Sequence, residues 1–116
     1  MIIRNEEHKR ETIENVRGGN GGIHFKRIIE SPEQLYSKGS VFSVITLEKG
    51  CDVGWHIHKG DGEYYYVLSG EAEYSDNGNI VTLSEGDTAF CPDGEGHYVA
   101  NRSDEPLVLL ALVIYN

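Results

Sequence analysis

Residues 50–70 read GCDVGWHIHKGDGEYYYVLSG, and they combine short β-branched and aromatic runs with a glycine at each end. Alternate residues of a strand face the same side of a sheet, so His56 and His58 point in one direction. The turn Lys59–Gly62 then reverses the chain, and Glu63 opens the next strand. This stretch therefore predicts a β-hairpin that brings two imidazoles and one carboxylate together.

A second stretch, residues 86–101, reads GDTAFCPDGEGHYVAN and supplies a third imidazole, His97, at the start of another strand. Pro92 ends the strand before it, because proline has no N–H to donate to a sheet. Three neutral imidazoles and one carboxylate that converge inside a barrel form a site for a divalent transition metal. The predicted metal ligands are His56, His58, Glu63 and His97.

The rest of the chain reads as short runs of strand-forming residues separated by turn residues. Asn77-Gly78 lies between two such runs and predicts a tight hairpin, since both residues tolerate positive φ. No segment has the periodicity of an amphipathic helix over 11–18 residues. A single short helical turn is expected at Ser31–Leu35. About nine or ten strands predict an all-β sandwich or barrel.

The stretches Gly50–Gly70 and Gly86–Asn101 resemble the two motifs of the cupin superfamily, and they match its fixed positions throughout. The resemblance implies a single cupin barrel, also called a double-stranded β-helix or jelly roll, over residues 23–116. It assigns the same four residues as metal ligands and makes Asn101 a structural residue. Residues 1–22 lie outside the resemblance and are expected to form an N-terminal polar arm and a glycine-rich hinge.

The N-terminal part of the chain carries little chemistry of its own. Residues 1–17 are polar and predict a short helix or a loose arm. The glycines of Gly18–Gly22 do not fit a GxGxxG phosphate loop, and no strand is expected before them. A flexible hinge is the favoured interpretation.

Two residues near the predicted ligands are candidates for a catalytic role. Tyr65 should share the inward face with Glu63, where its hydroxyl would line the pocket, although simple core packing is the alternative. Glu95 lies two residues before His97 and could act as an acid or base, although a surface loop charge is the alternative. Lys26 or Arg27 could offer a cation to an anionic ligand at the mouth of the barrel, or could simply be solvated.

Composition limits the partners and the compartment. The chain of 116 residues has 19 acidic against 10 basic side chains and a net charge of −9, which argues against binding nucleic acid or an anionic membrane. No apolar run reaches the roughly 20 residues of a membrane helix, and no signal peptide is visible. We therefore expect a cytoplasmic protein with Cys51 and Cys91 as free thiols, either small buried hydrophobes or groups near the site.

The family resemblance leaves several functions open. One hypothesis is an enzyme, a decarboxylase, dioxygenase or isomerase, that acts on a small oxygenated carboxylate or a sugar-like substrate. The alternative is a non-catalytic module that binds or senses a small molecule through the metal, and a storage or scaffold role is weaker. The donor set suits Mn, Fe, Co, Ni, Cu and Zn alike. The apolar runs Ile23–Ile29 and Leu107–Ile114 further predict a homodimer that covers them.

Overall fold

The computed structural model describes all 116 residues and contains ten strands and three short 3-10 turns. The strands are β1 (Arg10–Glu14), β2 (Gly22–Arg27), β3 (Gly39–Leu47), β4 (Asp52–Ile57), β5 (Asp61–Ser69), β6 (Ala72–Asp76), β7 (Asn79–Leu83), β8 (Thr88–Cys91), β9 (Gly96–Ala100) and β10 (Leu107–Tyr115). The turns are Asn5–Glu7, Val16–Gly18 and Pro32–Leu35. No helix in the structure has the length and apolar character needed to span a lipid bilayer.

The strands form two antiparallel sheets around one core. The six-stranded sheet has the order β1-β2-β3-β10-β5-β8, and the four-stranded sheet has the order β4-β9-β6-β7. Inward side chains of both sheets meet in the core, among them Ile45 and Leu109 from the first sheet and Val53 and Val99 from the second. Alternate residues of the long strands β3, β5 and β10 fill much of this core, so the chain has the predicted all-β jelly-roll fold.

Local turn chemistry also follows the sequence. Asn77 and Gly78 both have positive φ, 51° and 98°, as a two-residue hairpin turn between β6 and β7 requires. The short helical turn expected at Ser31–Leu35 is present as Pro32–Leu35, with proline at its first position.

The N-terminal segment differs from the expectation of a short helix or loose arm. Residues 10–14 form β1, which pairs with β2 through a register that places Ile13 opposite Ile23. β1 lies at the edge of the six-stranded sheet, and four of its five residues are exposed. An edge strand that is wet on both faces lacks the alternation of apolar and polar residues by which strands are recognised.

The glycine cluster packs against β4 instead of standing free as a hinge. A Cβ on Gly19 would collide with the backbone of Asp52, and a Cβ on Gly54 would collide with the Arg17 carbonyl oxygen. Asn20 donates its backbone N–H to Asp52 over 2.9 Å and its side-chain amide to the Gly50 carbonyl over 2.8 Å. The glycines are therefore needed for close approach of two backbones.

The apolar strands that were expected to need a partner are covered within the chain. β10 lies between β3 and β5, and Leu107 and Leu109 have no exposed surface. β2 is covered at its outer edge by β1, and Ile23 is fully buried. The argument for a dimer from these two strands is wrong, and the homodimer itself stays a prediction.

Candidate metal centre

The four predicted ligands meet between the two sheets. His56 belongs to β4, His58 follows the end of that strand, and His97 belongs to β9 of the same sheet. Glu63 belongs to β5 of the other sheet. β4 and β5 do not pair, so the predicted β-hairpin is wrong: the turn between them carries the chain from one sheet to the other, and Glu63 faces the histidines across the core. One donor atom of each residue lies within 4.8 Å of the donors of the others, and all but the partly buried His56 are buried. β4 and β9 place His56 directly opposite His97, which fixes half of the cluster by strand register.

The imidazoles face one another through their Nε2 atoms. The Nε2 atom of His97 lies 3.1 Å from Nε2 of His56 and 3.1 Å from Nε2 of His58. The Oε1 atom of Glu63 lies 3.2 Å from Nε2 of His97 and 3.4 Å from Nε2 of His58. These contacts place four donor atoms around one point.

The other ring nitrogen of each histidine has its own partner. Nδ1 of His56 donates to the carbonyl oxygen of Gly54 over 2.8 Å. Nδ1 of His58 donates to the Asp61 carboxylate over 2.7 Å. Both contacts require a proton on Nδ1, so the neutral rings direct an Nε2 lone pair into the cluster.

The third histidine is oriented by a tyrosine. Nδ1 of His97 lies 2.9 Å from the hydroxyl of Tyr74, and both side chains are buried. Partners of this kind hold the rings of metal-ligating histidines in place and set their tautomers.

The residues fit a divalent transition metal. In their neutral forms His56 and His58 each direct an Nε2 lone pair into the cluster, and Glu63 directs a carboxylate oxygen into it. Nε2 of His97 lies close to all three of these atoms, and a proton on it could form a hydrogen bond to only one of them. Ligands about 2.1 Å from an ion lie about 3.0 Å apart at right angles and about 3.4 Å apart at tetrahedral angles. Four of the six donor–donor separations, at 3.1–3.4 Å, fall in this range, and the other two are within 4.8 Å.

The electrostatics of the cluster also favour a cation. Burial lowers the pKa of His56 to about 4, and the positive charge of Arg17 acts in the same direction. Burial alone would raise the pKa of Glu63, but hydrogen bonds to His58 and His97 outweigh it and lower this pKa to about 2. The contact with Glu63 raises the pKa of His58. A buried carboxylate that stays ionised requires positive charge beside it, from a proton or from a metal.

A cavity of about 180 Å³ opens beside His56, His58 and Glu63. The rest of its lining is mostly apolar and includes Phe25, Val41, Ile45, Val53 and Val113. Four further polar side chains belong to the lining, Arg17, Ser40, Asp61 and Tyr65. The cluster therefore lies at the side of a small and largely apolar chamber.

Tyr65 occupies the inward position expected for it. It is 2% exposed, whereas its neighbour Tyr64 is 39% exposed. Its ring stacks on that of His97 with the centroids 5.3 Å apart. Burial and the nearby Glu63 carboxylate raise its pKa well above the ordinary value, so the hydroxyl keeps its proton. Its catalytic role stays a prediction.

The structure does not bring Glu95 to the cavity. Its backbone holds the loop, because its carbonyl oxygen accepts a hydrogen bond from the backbone N–H of His58 over 3.0 Å. The same carbonyl oxygen accepts a hydrogen bond from the thiol of Cys91 over 3.4 Å. The residue contributes to the position of His58 through its main chain, and no contact with the ligand cluster supports the acid–base role predicted for its side chain.

The basic side chain that lines the cavity is neither of the two that the sequence suggested, Lys26 and Arg27. Arg27 pairs with Glu11 over 3.2 Å and lies over the ring of Phe25, and neither Arg27 nor Lys26 lines the cavity. Arg17 lines it instead. Sequence reasoning assigned Arg17 to the polar arm, and nothing in the local pattern indicated its contact with β4.

Other residues singled out in the sequence have structural roles. The side-chain amide of Asn101 donates to the carbonyl oxygens of Leu47 and Glu105 over 2.9 and 2.8 Å. Cys51 and Cys91 are free thiols, and burial raises the pKa of Cys91 to about 11. Asp61 and Tyr74, the partners of the histidine rings, were not predicted. The spacing of three residues from His58 to Asp61 was the available signal for the first of them.

Comparison with known proteins agrees with this geometry. The family model described as Cupin domain matches residues 43–115. The chain belongs to the cupin family. A curated relative from Thermotoga maritima, named oxalate-binding protein, is 37% identical over 114 residues, which cover 98% of this chain and 93% of the relative. Oxalate decarboxylase OxdC of Bacillus subtilis is 33% identical over 90 residues, 73% of this chain but only 23% of that protein.

Solved cupin structures superpose on the whole chain. A crystal structure from Thermotoga maritima, described as a predicted oxalate decarboxylase, has a TM-score of 0.93 at 36% identity and covers 100% of both chains. KdgF from a Halomonas species has a TM-score of 0.75 at 20% identity, covering 100% of this chain and 94% of that chain, and so shares the fold alone.

Proposed function

We propose that this cupin binds a divalent transition metal through His56, His58, Glu63 and His97 and uses it to hold a small oxygenated carboxylate such as oxalate. The observation that carries the proposal is the convergence of four donor atoms within 4.8 Å beside a small cavity. The relative named oxalate-binding protein, which aligns over nearly the whole chain, supports the choice of ligand.

The cavity favours a ligand of few atoms. Pockets for drug-sized ligands have volumes of roughly 300–1,000 Å³, and this cavity has about 180 Å³. A small dicarboxylate or 2-oxo acid suits such a volume better than a hexose-sized substrate. The apolar wall formed by residues such as Val41 and Val53 excludes water around the bound carbon skeleton.

The metal, when bound, would supply a Lewis acid that chelates and polarises adjacent oxygens of the ligand. The residues of the chain hold the ion, exclude water and orient the ligand. Asp61 and Tyr74 fix the rings of His58 and His97, and Tyr65 presents a protonated hydroxyl inside the cavity.

Catalysis is the second candidate function. The 33% sequence identity to the oxalate decarboxylase of Bacillus subtilis favours a decarboxylase or dioxygenase. The buried Tyr65 hydroxyl beside Glu63 favours the same functions. Inside the cavity, Tyr65 is a neutral donor that can hydrogen-bond a reacting carboxylate. A non-catalytic binding protein would use the same residues to retain its ligand unchanged.

The test combines metal analysis with ligand binding. We expect elemental analysis of the purified protein to give one divalent transition metal per chain, and calorimetry with the metal-loaded protein to detect oxalate or a 2-oxo acid. Product detection with oxalate, 2-oxo acids, diketones, cysteine and hexuronates separates an enzyme from a binding protein. His97→Ala with unchanged metal content would contradict the proposal.

We also propose a homodimer, for which the exposed aromatic side chains of β5 and β8 are the available surface. Tyr64 and Phe90 stack there with their centroids 4.3 Å apart and are each 39% exposed. Sedimentation velocity at micromolar concentration should give the mass of two chains, and a monomer would contradict this.

A further inference from the structure

We infer that Arg17 recognises the second acidic group of the ligand and makes this site selective for dianionic carboxylates such as oxalate over neutral chelators. This inference rests on the proposed function and adds a residue and a charge class to it. The observation behind it is that Arg17 lines the same cavity as His56, Asp61 and Glu63, although it is more than thirty residues away from them in sequence.

Arg17 lines the cavity and has no carboxylate partner, whereas several other basic side chains are paired. Arg27 pairs with Glu11, Lys49 with Asp104, and Arg102 with Asp52 and Glu73. Arg17 forms no ion pair and is exposed. An unpaired guanidinium at the mouth of an apolar chamber is suited to two parallel hydrogen bonds with a carboxylate.

The backbone holds Arg17 in a conformation that an arginine does not adopt by itself. Its φ and ψ are 53° and 32°, in the left-handed region that is unfavourable for a residue with a side chain. The Arg17 carbonyl fits against Gly54, where a Cβ would collide with it, and Val16 packs against the core. The turn Val16–Gly18 thus fixes Arg17 over the cavity, and such strain often accompanies a functional site.

The charges around the site require this residue if the ligand is an anion. Glu63 and Asp61 together carry two negative charges and would balance a divalent ion. The chain as a whole carries a net charge of −9, which repels anions at long range. Arg17 is the one basic side chain that lines the cavity. Arg17 supplies the positive surplus that an anionic ligand needs.

The experiment measures oxalate binding by calorimetry on protein loaded with Mn²⁺, one of the metals that the donor set accepts. The variants are Arg17→Gln, Arg17→Lys and Arg17→Gly, and the matched control is Arg4→Gln. Arg4 is an exposed arginine of the same segment that does not line the cavity, and its loss changes the net charge equally. Metal content and thermal stability are measured for each variant.

We expect Arg17→Gln to weaken oxalate binding at least tenfold, Arg17→Lys to weaken it less, and Arg4→Gln to stay within twofold of the wild type. Arg17→Gly should keep or raise the melting temperature, because glycine relieves the left-handed backbone, and yet lose oxalate affinity. This combination separates a recognition role from a structural one.

Oxalate affinity within twofold of the wild type in Arg17→Gln would overturn this inference and leave the proposed function standing. A metal-loaded wild type that binds neither oxalate nor a 2-oxo acid would overturn both. Equal loss of affinity in Arg4→Gln and Arg17→Gln would also overturn it, because general electrostatics would then account for the effect.

Discussion

The Asp61 carboxylate accepts a hydrogen bond from Nδ1 of His58 over 2.7 Å, and Nε2 of the same ring points into the ligand cluster. Asp61 thereby fixes the tautomer in which His58 can bind a metal and makes the ring a stronger donor. We expect Asp61→Asn to lower metal affinity about 10–100-fold without unfolding the protein. Competition with a chromogenic chelator measures this, with the exposed Asp104→Asn as control, and unchanged affinity would contradict it.

Tyr65 offers a second test, because its ring and its hydroxyl have separable roles. Tyr65→Phe keeps the stack on His97 and removes only the hydroxyl. A hydrogen bond to a charged group contributes about 1.5–3 kcal/mol, so we expect at least a tenfold loss of oxalate affinity or turnover with little change in metal content. Tyr64→Phe, which alters the outward neighbour, should behave as the wild type.

Glu95→Gln belongs in the same assays. The Glu95 side chain does not line the cavity, so we expect turnover and oxalate affinity close to those of the wild type. A large loss of turnover with normal metal content would restore Glu95 as the acid–base residue that the sequence suggested.

The metal-free protein should lose stability as the pH falls from 6.5 to 4. The pKa of His56 is about 4 in the folded protein against 6.5 for an ordinary histidine, so the unfolded chain binds a proton first in this window. Glu63 acts in the same direction below pH 4.5, since its folded pKa is about 2. His58, whose pKa is raised, acts in the opposite direction.

Urea unfolding at several pH values after chelator treatment checks this expectation. In His56→Gln, the free energy of unfolding should vary less between pH 6.5 and 4 than in the wild type. An identical slope in the two proteins would show that His56 does not control stability in this range.

Gly54 should affect oxalate binding through the position of Arg17, and metal content is measured as well because the Gly54 carbonyl oxygen accepts a hydrogen bond from Nδ1 of His56. Gly54→Ala would push the backbone of Arg17 away from β4. We expect it to weaken oxalate binding much as Arg17→Gln does. Gly86→Ala is the control, because Gly86 also disfavours a side chain, with φ of +87°, but has open space around it and lies outside the cavity. It should lower stability by about 1–2 kcal/mol and leave oxalate affinity unchanged.

The fold and the metal cluster could be predicted because both depend on short-range spacing. Two-residue periodicity puts His56 and His58 on one side of a strand, and it separates inward Tyr65 from outward Tyr64. Glycine and proline mark the turns that return Glu63 to the histidines. These signals lie within the two stretches, whereas the meeting of His97 with the other ligands depends on the pairing of β4 with β9, which only the resemblance to cupins implied.

The surroundings of the cluster could not be predicted in the same way. Tyr74 reaches His97 only because β6 pairs with β9 in a particular register. Arg17 reaches the cavity because glycines let two backbones touch, and the sequence shows those glycines without showing their partners. β1 was missed because solvent covers most of it, so burial imposes no pattern on its residues.

The position of β10 has a consequence for how the protein is made. This strand lies at the middle of the larger sheet, between β3 and β5, and yet it is synthesised after all the other strands. During translation β3 and β5 therefore leave the ribosome with their facing edges unpaired, and the sheet that carries Glu63 cannot close until residue 115 has emerged. Assembly in this order completes the larger sheet only after β10 has been synthesised, and until then it exposes the edges of β3 and β5 to aggregation.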